Sequence, residues 1–140
     1  EGRMLLDLGE DGDILTHHAS FERGRIQELA RDLPHYAPAL NRLIGRIKDL
    51  EVPFLKGWYY APAMNGSTSI KKVLPALVPE LSHKTLNVQE GTMASLLYRQ
   101  LASGQYAGDV DQLRADLLAY CEMDTMAMVR ILGVLEASVQ

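Results

Sequence analysis

The stretch ILTHHASFERGRIQELARDLP, residues 14–34, changes its periodicity partway along. Ile14 to His18 is a short β-favouring run after the turn-like EDGD of residues 10–13. Ser20 then offers an N-cap, and Ile26, Leu29, Ala30 and Leu33 recur at helical spacing until Pro34 stops the pattern. The reading is a strand followed at once by a helix over about 21–33, which makes the fold class α/β. At about 100° per residue, Glu22 falls near the middle of that helix's apolar arc. An acid there has two readings. It complements the helix dipole as a first-turn residue with no further role, or it points into a site beside the strand end.

Working outward, residues 1–9 read as a short helix, or the end of a longer one, closed by Gly9. A second helix is expected from Ala37 or Pro38 to about Arg46, with Pro38 in its first turn, and a strand over Ile47 to Val52 ended by Pro53. The segment PFLKGWYYAPAMNGSTSIKKVLPALVPEL, residues 53–81, is rich in Pro, Gly, Ser and aromatics. It reads as a long ordered loop carrying one short helix, Ile70 to Leu74, bracketed by Pro75 and Pro79. Trp58, Tyr59 and Tyr60 are expected to pack that loop onto the core rather than to stack on bases.

Two helices complete the chain, over about 91–103 and 110–137, with Asp109 as N-cap of the second. On that last helix, Leu117, Met128, Ile131 and Leu135 fall within roughly 60° of Leu113. Tyr120 and Asp124, one turn apart in YCEMD, land in the centre of the same arc. Asp124 therefore faces inward, where a carboxylate needs a partner or a metal because desolvating its charge is costly. Three alternatives stand: a pair with a lysine or arginine, an acceptor for Tyr120 or a histidine, or a ligand of Mg²⁺ or Mn²⁺ together with Glu22.

Composition sets the outer bounds. The chain has 140 residues, 47% hydrophobic and 23% charged, which suits one ordinary domain, taken as residues 1–140. A net charge of -4 does not favour tight nonspecific nucleic-acid binding by this chain alone. The single Cys121 rules out an internal disulfide and a multi-thiolate zinc knuckle, and suits a reducing cytoplasm. His17, His18, His35 and His83 make no metal-ligand spacing with Cys121, so zinc is not expected. No run approaches the roughly 18 to 20 apolar residues of a membrane span. The chain opens at Glu1 without an initiator methionine, which suggests an excised fragment.

The segments HHASFERGRIQELARDLP, RIKDLEVP, NGSTSIKKVLPALVPELS and LLAYCEMDTMAMVRIL, in that order from about Ile14 to Leu135, resemble the bacterial family catalogued as domain of unknown function 2779. That family is similar to the ribonuclease-H-like DEDD 3′–5′ exonucleases, of the type whose third motif carries tyrosine. The resemblance implies a mixed sheet flanked by helices, with two Mg²⁺ or Mn²⁺ ions held by four acids from D-x-E, N-x-x-F-D and Y-x-x-x-D motifs. The third motif matches Tyr120 and Asp124, with Tyr120 orienting a water. The second resembles His18-Ala19-Ser20-Phe21-Glu22, with histidine in place of asparagine and glutamate in place of aspartate.

The first motif is missing, so the chain resembles the C-terminal part of such a domain, a mostly helical ribonuclease-H-like fragment with two or three short strands and its first strands absent. The resemblance makes Glu22, Tyr120 and Asp124 the site residues, with Glu22 and Asp124 on the metal. Asp49 would support the ligands from behind, or is a surface strand-end residue. Lys71 and Lys72 would meet a phosphate, or are solvated lysines, and His18 joins this supporting group. With two of four acids, the chain is expected to bind Mg or Mn weakly or not at all and to be inactive on its own. The partner of the intact domain would be a DNA or RNA end. The alternatives are a non-catalytic module binding nucleic acid or protein on a nuclease-like scaffold, and a homodimer formed through exposed sheet edges.

Overall fold

A computed structural model describes residues 7–140, and shows a mixed α/β, mostly helical chain with one two-stranded sheet. The chain divides into two compact units, Glu1–Tyr59 and Tyr60–Gln140.

In the first unit, β1 (Ile14–Thr16) leads into α1 (Ala19–Asp32), a 3₁₀ turn (Pro34–Tyr36), α2 (Ala37–Arg46), β2 (Ile47–Asp49) and α3 (Val52–Leu55). The strands are parallel, with Ile14 opposite Ile47 and Thr16 opposite Asp49. Parallel neighbours need a crossover, and the α1–α2 pair supplies it. Leu40 and Leu43 of α2 are buried with Ile47, Leu50, Phe54 and Ala19. Arg46, at the end of α2, donates to the carbonyls of Leu8, Gly9, Asp11 and Gly12 and so fixes the turn before β1. Gly9 sits there at φ 59, a left-handed conformation suited to a helix end. The rest of the helix read over residues 1–9 lies mostly outside the described residues.

Both strands are shorter than their sequence suggested. The β1 run stops at Thr16, two residues before His18. β2 stops at Asp49, and Pro53 does not close a strand but occupies the first turn of α3, where its missing N–H costs nothing. The N-cap of α1 is His18, at φ 71 and ψ 56, rather than Ser20.

In the second unit, a 3₁₀ turn (Pro62–Met64) precedes α4 (Ile70–Leu77), a further 3₁₀ turn (His83–Thr85), α5 (Gly91–Ala102) and α6 (Val110–Ser138). The expected short helix does not end before Pro75 but runs through it to Leu77. Proline removes one i→i−4 bond. Val73 and Leu74, both fully buried, hold the helix in place regardless. Two helices, α4 and α5, pack against α6. Asp109 caps α6 as expected, accepting the N–H groups of Asp111 and Gln112 at 3.0 Å each. Of the inward stripe that the wheel placed on α6, Leu113 and Ile131 are buried and Leu117, Tyr120, Asp124, Met128 and Leu135 half-buried, and Ala127, outside that reading, is buried as well. Ala127 and Ile131 lie one turn apart, so this face meets the core of its unit closely.

The aromatic loop departs from expectation. Trp58 and Tyr60 are exposed, and only Tyr59 packs inward, edge-on to Phe54 with ring centroids 6.0 Å apart. No helix among the described residues is long and apolar enough to cross a membrane.

Candidate functional site

The carboxyl ends of β1 and β2 lie side by side, and the residues that leave them carry the polar chemistry of the first unit. Asp49, the last residue of β2, does the work that a local cap would do for α1. Its Oδ1 accepts the N–H of His18 at 3.0 Å and that of Glu51 at 2.9 Å, and its Oδ2 accepts the N–H of Ala19 at 2.9 Å. Burial alone would raise its pKa, but these three N–H donors outweigh it and hold the carboxyl below the ordinary range. This geometry explains why Ser20 is not the cap: a carboxylate from 31 residues away reaches His18 first.

His18 is held on both sides. Its backbone is left-handed, and its Nδ1 lies 2.9 Å from Oε2 of Glu51. The Glu51 side chain is 11% exposed and that of His18 is 67% exposed. A carboxylate only accepts, so Nδ1 is the ring nitrogen that donates. The hydrogen bond to Glu51 and its charge raise the pKa of His18 against the opposing effect of desolvation, with lesser upward contributions from the charges of Asp49 and Glu22. The pKa of His17, next in sequence but half-buried, is lowered by burial, which outweighs the pull of Glu51 and Asp49.

Glu22 stands in the first turn of α1, half-buried, and its Oε2 is buried without a hydrogen-bond partner. Burial raises its pKa, partly offset by its own backbone N–H and by His18. Thr16 Oγ1 and His17 Nε2 are likewise buried and unpartnered. Three orphaned polar atoms on consecutive segments around one strand end are unusual, since buried polar groups are nearly always bonded.

The second unit holds the other predicted residues. Asp124 faces inward, as its place on α6 requires, and its Oδ1 accepts from Nε2 of His83 at 2.6 Å. His83 is 4% exposed and its Nδ1 is buried with no partner, while the Asp124 side chain keeps 36% of its exposure. The Tyr120 ring is tilted against His83 with centroids 5.8 Å apart. Burial, then the charge and hydrogen bonding of Asp124, push the Tyr120 hydroxyl up to about 12, so it remains a proton donor throughout the physiological range. Of the alternatives left open by the sequence, acceptance from a histidine is the one seen at Asp124. Lys71 lies half-buried in the first turn of α4, behind Gly66 at φ 74.

Glu22, His18 and Asp49 thus gather in one unit, and Tyr120 and Asp124 in the other. Among the described residues, no group of three or more His, Cys, Asp or Glu side chains is placed to hold a metal ion. Sequence reasoning missed Glu51 and His83. Glu51 carried a weak signal, standing two residues after Asp49 in the strand expected over Ile47 to Val52, although β2 ends at Asp49 and Glu51 is the helical N-cap of α3. His83 carried none, being 41 residues from its partner.

Residues 2–69 match the family model described as Domain of unknown function (DUF2779). The match spans β1 through α3 and contains Glu22, His18, Asp49 and Glu51. It ends before Lys71, His83, Tyr120 and Asp124, well short of the span to Leu135 that the segment resemblance covers. No curated protein and no solved structure shows significant similarity to the chain.

Proposed function

We propose that this chain carries the second and third acidic motifs of a metal-dependent 3′–5′ exonuclease-like domain on a ribonuclease-H-like scaffold, acting on nucleic-acid phosphodiesters, and is inactive by itself. The observation that carries this reading is Glu22. Its Oε2 is buried, has no protein partner and sits at the carboxyl ends of parallel strands, where α/β folds place their ligands. An acid kept there without a cation beside it destabilises the fold slightly, which an ion-binding role would offset.

Glu22 fits a divalent cation, whereas Asp124 has one oxygen already engaged by His83. These two carboxylates are half of the four that the resemblance implies, so binding of Mg or Mn by this chain is weak at best. When bound, such ions lower the pKa of a water and stabilise the leaving oxygen. The protein's own contribution is positional. Tyr120 stays protonated and donates, His83 fixes the rotamer of Asp124, and Asp49 fixes the start of the helix that bears Glu22.

A longer chain that adds a strand-borne D-x-E should release nucleotides from the 3′ end of a labelled DNA or RNA in Mn²⁺. Glu22→Gln and Asp124→Asn should each reduce that release by at least about 10- to 100-fold, the loss typical of mutating even the groups that support a metal ligand. No release from either polymer contradicts the reading. The Asp124–His83 pair favours one alternative, a non-catalytic binding module in which Asp124 is a structural acceptor. Binding of a labelled oligonucleotide without cleavage supports that alternative.

A further inference from the structure

His18 combines three features that simple packing does not require. Its backbone is left-handed, a costly conformation for a residue with a side chain, although histidine tolerates it better than most. Two carboxylates hold it from separate points: Asp49 takes its N–H and Glu51 takes its Nδ1–H. The hydrogen bond to the nearly buried Glu51 orients the imidazole through Nδ1, while most of the His18 side chain stays exposed. One turn on, Glu22 keeps a buried oxygen without a partner.

An imidazole whose Nδ1–H is fixed by a buried carboxylate presents a bare Nε2 lone pair. This arrangement orients a general base and stabilises the imidazolium that forms when it takes a proton. The charges of Glu51, Asp49 and Glu22 favour a proton on the ring, which suits a proton acceptor.

We propose that Glu51 and His18 form a carboxylate–imidazole dyad whose Nε2 is the proton acceptor of this site. The inference deepens the exonuclease reading and rests on it for the substrate class, a phosphodiester; the dyad itself stands on the first unit alone. Nε2 takes a proton from water as the water oxygen bonds to phosphorus. The bond from phosphorus to the leaving oxygen breaks, and the imidazolium returns the proton to that oxygen. His18 is the catalytic residue and Glu51 the positioning residue.

The test is made on this chain. Long-range ¹H–¹⁵N spectra of the histidine rings, recorded at alkaline pH, report the neutral tautomer directly. The expected result is Nδ1–H for His18, the reverse of the Nε2–H form that a free imidazole side chain prefers in water. In Glu51→Gln that preference should weaken. Diethyl pyrocarbonate, which acylates a bare imidazole nitrogen, should modify His18 several-fold faster than the exposed His35, and Glu51→Gln should bring the two rates together. Nε2–H at His18, or acylation no faster than at His35, overturns the proposal. Both readouts in the unmodified chain suffice if Glu51→Gln does not fold. Neither depends on nuclease activity, so a failed cleavage assay with the expected tautomer rejects the exonuclease reading and leaves the dyad standing.

Discussion

Asp49 is where a single side chain governs most of the first unit's polar geometry. Its two oxygens serve three N–H groups, two of them at the start of α1. Replacing it with alanine leaves those donors without an acceptor and should cost about 1–2 kcal/mol, read as a lower urea midpoint at unchanged slope. Because its folded pKa is depressed, its contribution is complete above the unfolded value near 3.9 and disappears as pH falls below it. Asp49→Ala should therefore flatten the stability profile at acid pH, and an unchanged profile contradicts the assignment. Glu22 has the opposite sign, its folded pKa being raised by burial. Glu22→Gln should stabilise the chain, by only a few tenths of a kcal/mol once solvent screening is allowed for. A stabilising substitution of a half-buried acid is the mark of a residue kept for something other than folding.

At the scale of elements, the sequence was most legible where a local signal did the work. Proline at residues 34 and 38 and the Asp109 cap placed α1, α2 and α6 within a few residues, and the helical repeat placed Tyr120 and Asp124 on the inward face. It was least legible where the partner came from far along the chain. Asp49 displaced Ser20 as the cap of α1, the three-residue strands left little alternation to read, and burial of Val73 and Leu74 carried α4 through Pro75. His83 belongs with these, since nothing near it announces Asp124. The His83–Asp124 contact joins the turn at His83–Thr85 to α6. His83→Ala should cost about 2–4 kcal/mol through a cavity and a lost hydrogen bond. Asp124→Asn should cost about 1 kcal/mol, because an amide oxygen still accepts from Nε2. Asp124→Asn should also lower the Tyr120 titration from about 12 without returning it to 10, because burial is the larger cause. A full return to the ordinary value would mean that Asp124, not burial, controls the phenol.

At the scale of the whole molecule, the fold class was legible and its division was not. The parallel β1–β2 pair and the helical remainder make the mixed α/β chain that residues 14–34 announced. The division into two units leaves Glu22 in one and Asp124 in the other. Whether the two carboxylates serve one chemistry is therefore decided in solution, with the ion itself as the probe. Titrating Mn²⁺ into the ¹⁵N-labelled chain broadens amide signals nearest the bound ion. The account predicts selective broadening at millimolar Mn²⁺ around the first turn of α1 and around Tyr120 to Asp124, with the α1 effect lost in Glu22→Gln. Broadening confined to the acidic turn at residues 10–13, with Glu22 and Asp124 untouched, would contradict it.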